Sequence, residues 1–291
     1  MKIPSGTGVA LVTPLDAAGK IDWPGLKKLI RHTSKVDYLV VMGTTGESAT
    51  LTSEEKLKVL EFVAANRPAS MPIVFGLGGN NTSELIQKLD IVRGLPVSAI
   101  MSVSPYYNKP SQEGIFRHFT TIADKSPVPV ILYNVPSRTG SNVTAETTIR
   151  LSAHENIVAI KEASGNLEQA IKIISEAPKK FKVISGEDML TIPMMAVGAS
   201  GVISVLANAF PGIFKKMTDA ALTGDYKTAA RLQNSLVRIN PLMYEEGNPG
   251  GIKEVLELMG IIKNHLRLPL VPVSDSLRSK ISNALQEIKK G

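Results

Sequence analysis

The sequence predicts an α/β protein, a (β/α)8 TIM barrel over residues 1–224 followed by a C-terminal helical domain over residues 225–291. Three observations predict it. Eight short apolar runs, rich in Val and Ile, are continuous rather than alternating, as parallel strands covered on both faces require. Their starts lie about 20 to 35 residues apart, about the size of one βα unit. The stretches between them are helical in pattern, and after Asn208 no strand candidate remains.

The runs, in order, are Gly8–Pro14, Tyr38–Gly43, Pro72–Gly78, Ala99–Pro105, Val130–Pro136, Ile157–Ser164, Lys182–Asp188 and Gly201–Asn208. After the second run, Thr52 stands three residues before Glu55, a capping-box spacing, and Leu57, Leu60 and Val63 share one face. After the third, Asn81 precedes Glu84, and Leu85, Leu89 and Val92 follow at helical spacing. From Phe210 onward the chain reads as helices broken at Gly224, around Pro249 and around Pro272.

Composition narrows the function classes. A chain of 291 residues fits one barrel, and 43% hydrophobic with 20% charged residues is ordinary for a globular enzyme. No apolar run is long enough to span a membrane, and the N-terminus is a poor signal peptide, so a cytoplasmic enzyme with no membrane partner is expected. There is no cysteine, which excludes disulfides, thiolate metal sites and cysteine nucleophiles. The formal charge is +7, but the basic residues are scattered, the tightest groups being pairs at Lys27, Lys179, Lys215 and Lys289. With aromatics at 5% and no basic stripe, nucleic acid is not an expected partner. A modest positive field can still draw in anionic substrates.

In a barrel, chemistry belongs at the C-terminal ends of the strands. Lys161 follows four apolar residues in the sixth run and shares a strand face with Ala159 and Ala163. A desolvated amine loses its proton more readily, and a neutral amine attacks a carbonyl to form a Schiff base. A strand lysine taken alone is as easily explained by a carboxylate partner. Tyr133 lies at the same depth one run earlier, where a phenol can shuttle protons or simply bond a backbone carbonyl. The stretch "MGTTGES", Met42 to Ser48, offers backbone N–H groups and two threonine hydroxyls to a carboxylate, or is an ordinary glycine turn. Arg138, in a turn closed by Gly140, could grip a carboxylate with its planar fork, or be a surface charge. Tyr106 and Tyr107 alone suggest packing. The four histidines lack metal-ligand spacing, and the pairs Glu54–Glu55 and Glu245–Glu246 read as solvated faces, so no metal is expected.

Together, "GTTGE", "SPYYNKP", "YNVPSRTG" and "IVAIKEASGN" resemble the dihydrodipicolinate synthase / N-acetylneuraminate lyase family of Schiff-base aldolases, over nearly the whole chain. The resemblance implies that pyruvate condenses with Lys161, with no other cofactor, and that its enamine attacks L-aspartate 4-semialdehyde. It implies a proton relay of Tyr133, Thr44 and Tyr107, the last reaching in from a neighbouring subunit of a homotetramer built from tight dimers. Thr45 and its turn would hold the pyruvate carboxylate, Arg138 the carboxylate of the semialdehyde, and backbone groups near Gly186 and Ile203 would line the pocket. Sialic-acid lyases of the family usually lack the arginine, which favours a synthase over a lyase of N-acetylneuraminate or of a 2-keto-3-deoxy sugar acid. Regulated relatives bind lysine at positions matching Ser48, Ala49, Asn80, Glu84 and Tyr106. Lys56, where histidine is frequent, is expected to weaken that feedback. The stretch "NPGGIK", Asn248 to Lys253, departs from the family's Asn-Pro-Ile-Pro-Val-Lys, with a local effect expected.

Overall fold

Eight parallel strands close on themselves in chain order. The computed structural model describes residues 5–290. The strands are β1 (Gly6–Ala10), β2 (Tyr38–Val41), β3 (Ile73–Gly76), β4 (Ala99–Val103), β5 (Val130–Asn134), β6 (Ile157–Glu162), β7 (Lys182–Ser185) and β8 (Gly201–Ser204), one for each apolar run. The seam pairs β1 with β8 from Gly6–Gly201 to Val9–Ser204. Gly201 has φ +149°, and a Cβ there would lie 1.9 Å from the Gly6 carbonyl oxygen, so the barrel closes between glycines.

Helices α1 (Trp23–His32), α2 (Ser53–Asn66), α3 (Thr82–Lys88) and α4 (Gln112–Lys125) follow the first four strands. The single turn α5 (Pro136–Thr139) and α6 (Ala145–Ser152) follow β5. Next come α7 (Leu167–Glu176), α8 (Thr191–Ala196) and α9 (Pro211–Leu222). The capping box forms: Thr52 Oγ1 accepts from Glu55 N at 3.2 Å, and Glu55 Oε2 accepts from Thr52 N at 2.9 Å. Asn81 caps α3 as the spacing predicts, but the α-helix stops at Lys88 and Leu89–Val92 tightens into a 3-10 turn. Gly94, at φ +78°, and Pro96 then bar any further helix.

Apolar residues form two layers. One lies between the sheet and the helices, around Leu39, Leu60, Ile73 and Phe119. The other fills the barrel with Tyr38, Val40, Val74, Met101, Ile131, Ala159, Ile184 and Ile203. Burying each large side chain contributes about 1.5–3 kcal/mol. After α9, α10 (Tyr226–Asn234) packs on α8 and α9. Then α11 (Gly250–Leu258) packs on α12 (Asp275–Lys290) and on the 3-10 turn Leu206–Asn208 beyond β8. The chain thereby returns to the rim where the strands end.

Candidate active site

Strand alternation sets the site. On β5 and β6, Tyr133 and Lys161 are register partners facing inward, while their successors Asn134 and Glu162 face the helices. The outward pair is locked. Glu162 accepts from Asn134 Nδ2 at 3.0 Å, Gln169 Nε2 at 2.9 Å and Ser164 N at 2.7 Å, and Asn134 Oδ1 accepts from Val143 N at 3.0 Å. Fixing the outer residues fixes the inner ones.

Lys161 is 5% exposed, and its Nζ lies 4.5 Å from the centroid of the Tyr133 ring. No ion pair or hydrogen bond within the chain engages that amine, among the described residues. The carboxylate partner that would have made it structural is therefore missing. Ala159 and Ala163 flank it on the inner face, as their spacing predicts. Gly186 makes the approach of the next strand end possible, since a Cβ there would lie 2.5 Å from the Cβ of Ala163. Gly186 N donates to the Glu162 carbonyl at 2.7 Å, and Ile203 is fully buried on the inner face of β8.

A cavity of about 410 Å³ opens beside the turn after β2, and Tyr133, Thr44 and Arg138 line it. Tyr133 joins this cavity to the surroundings of Lys161. Arg138 is exposed on α5, whose end is set by Gly140 at φ +72°, and its side chain has no ion pair or hydrogen bond among the described residues. Thr44 is exposed, but Thr45 is 3% exposed, lies outside the cavity lining, and its hydroxyl accepts from Asn248 Nδ2 at 3.1 Å. The Thr45 hydroxyl is thus a brace for the turn. Tyr107 is 91% exposed at φ +66°, and Tyr106 is 43% exposed, so neither is a packing residue within its own chain.

Sequence reasoning missed several groups. Glu187 and Asp188 follow β7, and burial raises both carboxyls. For Glu187 the Asp188 charge adds to this, while Lys161 and Arg138 oppose it. Asp188 accepts from Leu206 N at 2.9 Å and Val205 N at 3.2 Å, tying β7 to β8. The Tyr244 hydroxyl near these acids is held well above its ordinary value by burial, then by Asp188 and Glu187. The polar "GED" at the end of an apolar run was the available signal.

Below the turn, Glu47 sits at φ 55° and forms a fully buried ion pair with Lys253. Lys253 Nζ also donates to the His265 carbonyl at 2.7 Å, and Glu47 Oε2 accepts from Arg267 N at 3.3 Å. Glu55 is not the solvated acid expected from its Glu-Glu pair: Arg267 grips it at 2.5 and 2.8 Å. That bonding lowers its carboxyl from 4.5 to about 2. Glu54, Glu245 and Glu246 are exposed, as expected. No cluster of three His, Asp or Glu residues able to hold a metal occurs among the described residues.

A barrel carrying a buried lysine and a phenol on adjacent inner strand positions has the architecture of a class I, Schiff-base aldolase-type lyase. Residues 4–288 match the family model described as "Dihydrodipicolinate synthetase family". The chain is 49% identical over 287 residues to the 4-hydroxy-tetrahydrodipicolinate synthase of Cytophaga hutchinsonii, covering 98% of this chain and 97% of that one. It is 46% identical over 286 residues to the enzyme of the same name from Parabacteroides distasonis, covering 97% and 96%. The crystal structure of a dihydrodipicolinate synthase from Bacillus anthracis superposes with a TM-score of 0.94 at 39% identity, covering 98% of this chain and 99% of that one. The chain belongs to the dihydrodipicolinate synthetase family.

Proposed function

We propose that this protein is a 4-hydroxy-tetrahydrodipicolinate synthase, condensing pyruvate with L-aspartate 4-semialdehyde on the route to diaminopimelate and lysine. The observation that carries the reading is Lys161: buried, without an anionic partner in bonding distance, and beside the Tyr133 ring. Once the amine has given up its proton it adds to the pyruvate carbonyl and water leaves, forming an imine. Loss of a methyl proton gives the enamine, whose carbon attacks the aldehyde of the second substrate. The new alkoxide takes a proton, and the substrate amine then attacks the imine carbon, closing the ring and releasing Lys161. The protonated imine is the electron sink that accepts the pair left by the methyl proton, so the reaction as written calls on no metal or added cofactor.

Tyr133, beside the Lys161 amine and on the cavity lining, would move protons between the amine and the cavity, with Thr44 of the same lining as a further member of the relay. The turn's own hydrogen bonds engage the N–H groups of Gly46 and Glu47, leaving those of Thr44 and Thr45 for the pyruvate carboxylate. The Thr45 role lies in its backbone, since its hydroxyl bonds Asn248. Gly186 and Ile203 bound the space around the imine. Arg138 binds the carboxylate of the semialdehyde, which favours the synthase over a lyase of N-acetylneuraminate or of a 2-keto-3-deoxy sugar acid. Tyr107, exposed in a left-handed conformation, completes the relay in a neighbouring copy of a homotetramer made of two tight dimers.

Lysine would bind at Ser48, Ala49, Lys56, Asn80, Glu84 and Tyr106, weakened by the Lys56 ammonium. Half-inhibition at micromolar lysine would contradict that part. The division at residues 224/225 is part of the same reading, since Gly224 at φ +86° ends the last barrel helix. Coupled assays decide the main claim: turnover is expected with pyruvate and the semialdehyde. Cleavage of N-acetylneuraminate without condensation of those two would overturn it.

A further inference from the structure

Arg138 and Glu187 flank Lys161 from opposite sides. Arg138 stands just beyond β5, Lys161 lies on β6, and Glu187 stands just beyond β7, on neighbouring strands of the closed barrel. Glu187 has a fixed backbone and an unused side chain. Its N–H donates to Ser185 Oγ at 3.2 Å, and its carbonyl accepts from Ser185 Oγ at 2.9 Å and from Leu190 N at 3.1 Å. Its half-buried carboxylate makes no hydrogen bond or ion pair among the described residues.

The other acids at this end are engaged. Glu162 accepts from Asn134, Gln169 and Ser164, and Asp188 is 3% exposed, with Oδ2 on Leu206 N and Val205 N. Glu187 feels the charges of Asp188, Lys161, Arg138 and Glu162, and the Tyr244 hydroxyl feels Asp188, Glu187 and Arg138. Arg138 and Glu187 are thus within range of each other's charge, yet they form no ion pair. A free cation and a free anion held apart across the reactive amine are the complement of a zwitterion, whose carboxylate and ammonium stand on one carbon.

We infer that Glu187 is a specificity-determining residue whose carboxylate receives the α-ammonium of the aldehyde substrate while Arg138 holds the α-carboxylate. The inference rests on the synthase reading above and deepens it. With the aldehyde carbon at the pyruvate enamine on Lys161, the substrate is held at both charged groups and at its reacting end. Holding an amino acid at those separate points distinguishes its L form from its D form. A site built for the ammonium also disfavours an analogue that lacks it.

Steady-state kinetics with pyruvate and L-aspartate 4-semialdehyde tests this, with succinic semialdehyde as a competing analogue without the amine, in wild type, Glu187→Gln, Glu187→Asp and Arg138→Gln. Wild type is expected to hold the amino aldehyde more tightly than the analogue. Glu187→Gln is expected to raise KM for the amino aldehyde about tenfold and to leave the inhibition constant of succinic semialdehyde unchanged. Arg138→Gln is expected to weaken both. Borohydride trapping of pyruvate is expected to remain undiminished in Glu187→Gln, which a distorted site would not allow. Thermal melting checks each fold, and Glu187→Asp, expected to raise the same KM by a smaller factor, carries the test should Glu187→Gln melt early. An unchanged KM in the Glu187 variants, an equal loss for both aldehydes, or a wild type that holds the analogue at least as tightly overturns the inference and leaves the synthase reading in place. A wild type that does not condense pyruvate with the amino aldehyde overturns that reading, and the inference with it.

Discussion

Tyr133 and Lys161 occupy equivalent places on neighbouring strands, so a one-atom change to the phenol probes the relay without disturbing the amine. Tyr133→Phe is expected to lower kcat by about 10² or more, with a small change in KM for pyruvate. Steady-state kinetics measures this, and an unchanged kcat would remove Tyr133 from the chemistry. Arg138→Gln is expected to raise KM for the semialdehyde while leaving imine formation from pyruvate intact, because the guanidinium lines the cavity from α5 and makes no bond to the lysine on β6. At this scale the two inner residues were legible because a polar side chain inside a Val- and Ile-rich run must be tolerated by the barrel interior. Glu187 and Asp188 were not, because their importance comes from burial at the end of β7 rather than from any spacing.

Elements hold the site through contacts distant in sequence. Glu47 and Lys253 are separated by 206 residues, yet their fully buried pair ties the β2 turn to α11. Lys253→Met leaves Glu47 buried and uncompensated, and is expected to destabilise the fold by about 3–5 kcal/mol in urea unfolding. Combining it with Glu47→Gln is expected to recover part of that loss; no recovery would mean that the pair itself, and not the stranded charge, sets the cost. The eight strands were legible from local runs and the α2 cap from a three-residue spacing. This pair was not, since nothing local marks a lysine whose partner lies across the barrel rim. The "NPGGIK" departure has a structural counterpart: a Cβ on Gly251 would lie 2.7 Å from the Cα of Met243, so α11 packs flush against the preceding turn only with glycine there.

The whole molecule carries its acid sensitivity in buried or bonded groups outside the reaction. His118 is 6% exposed, and burial lowers its imidazole from 6.5 to about 4; the carboxyl of Glu55 is lowered to about 2. Both folded values lie below the unfolded ones, so the unfolded chain binds more protons as pH falls. The His118 contribution is present above about 6.5 and lost as pH falls towards 4; that of Glu55 is present above about 4.5 and lost towards 2. Urea midpoints against pH are expected to drop from pH 6.5 downward, and Arg267→Met is expected to flatten the lower part of the curve. The proposed association with a neighbouring copy comes from the resemblance alone, because no run or spacing marks an exposed tyrosine such as Tyr107 as an interface residue. Tyr107→Trp fluorescence is expected to be quenched and shifted on assembly and to revert on dilution.

The central claim is most directly tested by reduction with borohydride in the presence of pyruvate, followed by peptide mapping. The account predicts a stable adduct on the peptide containing Lys161 and none in Lys161→Ala. An unmodified Lys161 peptide, or an adduct on another lysine, would contradict it.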